Sequence, residues 1–215
     1  DGPQSITPDE FVYIMPRLRE YARLEGRDMP VGHSVAYAGT PGSFSFEAAE
    51  KLFPASAMVG LERFEDVCEA VSLGKVDAGI LPLENTLAGK VTEAVDLIER
   101  YDLEITDRLK LKISMNLIAP PGTDMKSIRK IYSKDKALEQ CKKFLDDHPE
   151  YRVIPFSTTS AAAQAVSALD DKCSAAIASA SAAKLNRLEI LVSDIQDSAE
   201  NYTEFAVVKQ KRRPE

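Results

Sequence analysis

The stretch from Val76 to Val91, VDAGILPLENTLAGKV, constrains this chain more than any other. Its first half is a short apolar run rich in β-formers, which reads as a buried strand of a parallel sheet. Pro82 has no N–H to give and is expected to end the ladder. Asn85 or Thr86 then caps a helix. The buried face of that helix is expected to carry Leu87, Val91, Ala94, Val95 and Ile98, a spacing that fits one helical stripe. Glu84-Asn85-Thr86 would then lie at the C-terminal end of a parallel strand and at a helix N-terminus. Open α/β sheets bind ligands at such points, and free amides there favour a carboxylate or phosphate. An ordinary strand–turn–helix connection shows the same pattern.

The unit repeats. Ser34–Ala38 reads as a strand, followed by the turn Gly39-Thr40-Pro41-Gly42-Ser43 and a helix from Ser45 to Phe53. Ala55–Gly60 is the next strand, and Phe64, Val67, Cys68 and Val71 mark the inner face of the next helix. This βαβαβα order implies a parallel sheet with right-handed crossovers. Leu103 to Ala119 alternates apolar and polar residues over a length unusual for one strand, as expected of a segment that leaves one lobe and enters another. After the break at Pro120-Pro121-Gly122 the alternation resumes. Strands are expected at Ile128–Tyr132, Tyr151–Pro155, Ser174–Ala178 and Phe205–Val208, with Leu188–Leu191 leading to a polar loop that ends in Asn201-Tyr202-Thr203. Helices follow on Ala137, Leu138, Cys141, Phe144 and Leu145, from the Ser157-Thr158-Thr159 cap to Leu169, and from Ala180 to Leu185. Pro8 to Glu25 reads as a helix kinked at Pro16, and residues 1–33 as an appendage. The whole predicts a two-lobed α/β fold, with lobe 1 at 34–112 plus 195–212 and lobe 2 at 113–194. A ligand between the lobes is the default expectation.

Composition removes several function classes. The net charge of −7 argues against nucleic acid as a partner. No apolar run approaches the roughly 20 residues of a membrane helix, and no secretory signal is recognised. Cys68, Cys141 and Cys173 are far apart and each sits in an apolar pattern, so we expect three reduced core thiols in a cytoplasmic protein. The two histidines, His33 and His148, lie in a linker-like segment and a polar turn. A Cys/His nucleophile pair and a zinc site are therefore not expected. We expect no metal and no cofactor.

Three loops resemble one another: Gly39–Ser43, Glu84–Thr86 and Ser157–Thr159 each carry hydroxyls or amides before an expected helix. Converging, they would offer neutral donors to a small carboxylate; singly, each is a helix cap. Thr203 begins the last strand, and period-two alternation sets Glu204 on the opposite face, with Thr203 and Phe205 sharing the buried side.

Taken together, Tyr37-Ala38-Gly39-Thr40-Pro41-Gly42-Ser43-Phe44-Ser45, Gly79-Ile80-Leu81-Pro82-Leu83-Glu84-Asn85-Thr86, Tyr132-Ser133 with Ala137-Leu138, Ser157-Thr158, Ala175–Ser179 and Asn201-Tyr202-Thr203-Glu204-Phe205 resemble the motifs of the prephenate dehydratase family, in the family's order. The resemblance runs from about 34 to 208. It implies a type II periplasmic-binding-protein-like fold and decarboxylative dehydration of prephenate to phenylpyruvate without metal or organic cofactor. It sets the catalytic threonine on Thr203 and substrate contacts on Gly42, Ser43, Glu84, Asn85, Thr86, Ser157, Thr158 and Asn201. Two places depart from the pattern. The family's Thr-Arg-Phe is Thr203-Glu204-Phe205 here, and its Ser-His-Pro-Gln is Ser133-Lys134-Asp135-Lys136. The chain stops right after the last strand, where such proteins often carry a phenylalanine-binding ACT domain. Two other readings stand beside this one: an arogenate dehydratase, and a non-catalytic sensor of a small carboxylate. Self-association into a homo-oligomer is expected.

Overall fold

The computed structural model describes residues 34–211. The expected helix at 8–25 lies outside them. In chain order the elements are β1 (Ser34–Ala38), α1 (Phe44–Leu52), β2 (Ala57–Leu61), α2 (Phe64–Ser72), β3 (Ala78–Asn85), β4 (Gly89–Lys90), α3 (Thr92–Arg100) and β5 (Leu103–Lys112). They continue with β6 (Asn116–Ala119), β7 (Lys130–Ser133), α4 (Asp135–Gln140), α5 (Lys142–Asp146), β8 (Arg152–Pro155), α6 (Thr159–Leu169), β9 (Ser174–Ala178), α7 (Ala180–Leu185), β10 (Glu189–Val192) and β11 (Tyr202–Gln210). They form two compact α/β units. One comprises the described residues up to Gly39, Ala48–Leu111 and those from Glu204 on; the other comprises Thr40–Glu47 and Lys112–Thr203. The strand–helix alternation alone assigned 40–47 and 195–203 to the first unit; both pack in the second.

The first unit is built on a sheet of order β2-β1-β3-β11-β5, with β4 paired to β3. β1 runs parallel to both β2 and β3. Val67, Cys68, Ala70 and Val71 of α2 and Ala94, Leu97 and Ile98 of α3 are buried in one cluster with Val59, Leu81, Leu83, Ala206 and Val208. Burying a Val, Leu or Ile side chain is worth about 1.5–3 kcal/mol. That outweighs the few tenths by which β-branched residues disfavour a helix at Val67 and Val71. Gly79 lets β3 lie close under α2, since a Cβ there would come within 2.8 Å of Val67 and 2.9 Å of Val71.

Pro82 does not end β3. The register with β1 closes at Ile80 and that with β4 opens at Glu84, so Pro82 falls in the gap between those two ladders, where neither β1 nor β4 asks for its N–H. Glu84–Thr86 consequently opens a hairpin rather than a helix, and α3 starts only at Thr92. Leu87 and Val95, expected in the core, are exposed: Leu87 is in the turn and Val95 on the outer side of α3.

The second unit has a sheet of order β10-β6-β9-β7-β8. β9 is parallel to β7, and β6 is antiparallel to β9 and β10. Its strand β9, SAAIA, is buried throughout. Small side chains there allow α6 and α7 to lay Ala162, Ala163, Val166, Ala182 and Ala183 against it. The long alternation expected over Leu103–Ala119 is broken at 113–115. There the ladder is replaced by the Ile113 N–H to the Asn201 carbonyl (2.8 Å) and the Met115 N–H to Gln196 Oε1 (2.8 Å). The helix expected through Leu145 is likewise split at Cys141. Asp197 donates its N–H to the Gln140 carbonyl (2.7 Å) and accepts the Lys143 N–H at its carboxylate (3.0 Å).

Cys68 and Cys141 are buried as expected, but Cys173 is exposed. It lies in the turn before β9, where its N–H donates to Asp171 Oδ1 (2.9 Å). Burial pushes the Cys68 thiol up to about 11, helped by Glu65, and that of Cys141 up to about 12, helped by Asp197. Neither is a thiolate near neutrality, so neither is suited to nucleophilic work. Among the described residues no helix is long and apolar enough to cross a membrane. No three His, Cys, Asp or Glu side chains among them are placed to hold a metal.

Candidate functional site

In the second unit, hydroxyls from three chain segments meet. Gly42 takes a positive φ of +85°, a region that suits glycine. Ser43 closes the turn with its N–H on the Thr40 carbonyl (3.0 Å), and its Oγ accepts the Phe46 N–H (3.2 Å), which caps α1. Thr158 is the N-cap of α6, in extended backbone, and its Oγ1 accepts the Ala161 N–H at 3.0 Å. Two residues on, Ser160 is buried, with its Oγ 3.2 Å from Thr158 Oγ1 and 2.7 Å from Thr40 Oγ1. The turn is also tied to α7, because Ser179 donates its hydroxyl to the Gly42 carbonyl at 2.7 Å while accepting the Ala182 N–H at 3.0 Å.

This network has a directional property. Each hydroxyl carries one proton. In the row Thr40–Ser160–Thr158, two protons are used between the three oxygens. One is left over, at the Thr40 end, at the Thr158 end or, where both threonines donate inward, on Ser160. Thr40 is exposed and Thr158 half-buried, so both ends reach the surface while the middle does not.

Of the expected site residues, Gly42, Ser43 and Thr158 are thus brought together. Ser157 is exposed beside them. Thr203 and Asn201 belong to the same unit, both buried, at the start of β11, with the Asn201 carbonyl held by Ile113. Glu84, Asn85 and Thr86 belong to the other unit. There Asn85 Oδ1 accepts the N–H groups of Leu87 (3.0 Å) and Ala88 (2.9 Å), which is turn chemistry and not a helix cap. Ser160 escaped sequence reasoning, while Thr40 and Ser179 fell inside the loop and motif named from the sequence without being singled out as site residues. Ser179 carried a signal, a serine directly before an alanine-rich helix. The pairing of Thr40 with Ser160 carried none, because it spans 120 residues of sequence.

At the head of β11, alternation sets Thr203 and Phe205 inside and leaves Glu204 partly exposed. Glu204 is not a lone charge: its carboxylate accepts from the Arg108 guanidinium on β5 at 2.9 Å.

A family model described as prephenate dehydratase matches residues 35–213. Arogenate dehydratase/prephenate dehydratase 2 of Arabidopsis thaliana, a chloroplastic protein, is 37% identical over 178 residues, which are 82% of this chain and 46% of that protein. A solved prephenate dehydratase of Arthrobacter aurescens in complex with L-Phe is 28% identical with a TM-score of 0.74, covering 85% of this chain and 62% of that one. GqqA, described as a novel type of quorum-quenching acylase, is 27% identical with a TM-score of 0.76, covering 84% of this chain and 65% of that one. The chain spans less than half the length of the curated relative.

Proposed function

The chain belongs to the prephenate dehydratase family, and from that premise we propose that it catalyses the decarboxylative dehydration of prephenate to phenylpyruvate. In this reaction the ring carboxylate leaves as carbon dioxide and its bonding electrons enter the ring. The ring becomes aromatic as the C4 hydroxyl departs, and that hydroxyl takes a proton to leave as water. Thr203 supplies the proton or the hydrogen bond to the leaving oxygen. The hydroxyls and amides of the Thr40–Ser43 turn and of the α6 start hold a substrate carboxylate with neutral donors.

The observation that carries this reading is the state of Glu204. Alternation turns it away from the side of Thr203, and Arg108 neutralises it across the β5–β11 pair. The departure from the family's arginine therefore does not leave an unpaired carboxylate beside a dianionic ligand, which at close range would oppose binding by as much as about 4 kcal/mol. The test is Thr203→Val, which keeps shape and β-branching and removes the hydroxyl. Turnover, followed as phenylpyruvate absorbance in alkali, should fall roughly 10²–10³-fold, the usual cost of one transition-state donor. Full activity in that variant removes Thr203 from the mechanism.

Arogenate is the second reading, supported by the double name of the Arabidopsis relative. Assaying both substrates, with phenylalanine as the second product, separates the two. Binding of either without turnover favours the sensor. A cytoplasmic location, read from three unpaired thiols, and self-association are parts of the same proposal. Fractionation and sedimentation test them.

A further inference from the structure

The turn Thr40–Ser43 is fastened at two points, and the fastenings differ in kind. Ser179 is buried and donates to a backbone carbonyl, that of Gly42. This fixes where the turn lies and does nothing to its side chains. The fit is close: a Cβ at position 42 would lie 2.9 Å from Ala182 Cα and 3.0 Å from Ala182 Cβ. Ser160, also buried, meets a side chain, the Thr40 hydroxyl. A bond between two side-chain hydroxyls fixes a rotamer, and either oxygen can be its donor. Thr40 itself is exposed, so this geometry spends a buried serine on orienting a hydroxyl at the surface. An exposed threonine in a turn has water for its hydroxyl and needs no buried partner for stability.

We propose that Thr40 is a substrate-carboxylate contact and that Ser160 and Ser179 are its positioning residues, Ser160 orienting the hydroxyl and Ser179 seating the turn. The inference rests on the enzymatic reading above and deepens it, by naming which hydroxyl of the Thr40–Ser43 turn makes the contact and what orients it. With ligand bound, Thr158 donates to Ser160 and Ser160 to Thr40, one of the directions the row allows, which leaves the Thr40 proton for the ligand. The proton row then acts as a unit: removing its middle member frees the Thr40 rotamer without touching the ligand.

The experiment compares Thr40→Val, Thr40→Ser, Ser160→Ala and Ser179→Ala, with Ser167→Ala as control. Ser167 lies on the same helix α6 and also makes one hydroxyl-to-backbone bond, to the Asn186 carbonyl at 2.8 Å, away from the turn. With prephenate as substrate, Thr40→Val and Ser160→Ala should each raise KM about tenfold while kcat stays within about twofold, the signature of lost ground-state binding. The double variant should be no worse than either single one, because both remove the same oriented donor. Thr40→Ser, which keeps the hydroxyl, should restore most of the affinity. Ser179→Ala should raise KM and also speed amide hydrogen exchange over residues 40–47, and Ser167→Ala should do neither. An unchanged KM in Thr40→Val overturns the contact, whatever the exchange shows. Additive losses in the double variant overturn the positioning role of Ser160. Unchanged exchange in Ser179→Ala overturns the seating role. If the unaltered protein turns over neither prephenate nor arogenate, the enzymatic reading fails first. Direct calorimetric titration with prephenate then decides the Thr40 contact alone, an unchanged Kd in Thr40→Val again overturning it.

Discussion

The turn at Asn85 and the helix start at Thr158 solve the same local problem and reach different ends. In each, a short polar side chain in front of a chain reversal accepts an amide two or three residues on: Leu87 and Ala88 for Asn85, Ala161 for Thr158. After Thr158 the chain can bury Ala162, Ala163 and Val166 and so continues as a helix. After Asn85 it meets Gly89 at φ +81° and returns to pair Lys90 with Glu84. The acceptor starts the structure, but the next turn's apolar residues decide which one. The supports differ as well. The Thr158 site backs onto a buried serine, whereas the Asn85 turn is exposed on its outer residues.

This contrast makes the second unit's polar loops costly to alter and the first unit's turn tolerant. The largest effect is expected for Gly42→Ala, where a left-handed conformation and a sub-3 Å approach to Ala182 coincide. Strain and overpacking together should cost about 2–4 kcal/mol, read as a lower midpoint in urea unfolding. Gly89→Ala has the same sign of φ but nothing within 4 Å of the added Cβ. It should cost only about 1–2 kcal/mol; equality of the two glycine variants would break the comparison. Thr158→Ala removes a true helix cap and should cost about 1 kcal/mol. Asn85→Ala gives its amides back to water and should cost about 0.5 kcal/mol; a loss equal to that of Thr158→Ala would show that the turn is held as firmly as the helix start.

The smallest stability effect belongs to the Arg108–Glu204 pair. Both side chains are more than a third exposed, and such pairs contribute about 0–1 kcal/mol. Glu204→Arg alone sets two cations against each other and should weaken folding slightly, more at low salt than at high. The exchange Arg108→Glu with Glu204→Arg should restore it. A double-mutant cycle measured at two salt concentrations checks both statements.

Much of this was legible beforehand, for physical reasons that can be located. Ser34–Ala38, Ser174–Ala178 and Ala180–Leu185 match the expected bounds, because an apolar run in a buried strand and an alanine series after a serine have few alternatives. The buried/exposed alternation of Thr203, Glu204 and Phe205 was readable from period two. The hairpin after Asn85 was not, since Leu87 to Ile98 has a helical spacing and only the pairing of Lys90 with Glu84 disqualifies it. The partners of Glu204 and Thr40 were not readable either. Arg108 is 96 residues from one and Ser160 is 120 from the other, and no local pattern encodes such pairings.

The position of β11 has a consequence for how the chain comes into being. This strand contains the last-made part of the first unit, yet it lies between β3 and β5 in that unit's sheet. Every described segment of the second unit, ending at Thr203, is synthesised before Glu204 is added. During synthesis the later half of the chain is thus complete while the earlier half still waits for its inner strand, with β5 lacking the neighbour that shields it. The N-terminal-first order usual for nascent domains therefore cannot bring the first unit to its full sheet, and the interval before residues 204–210 arrive is when that unit is most open to misassembly.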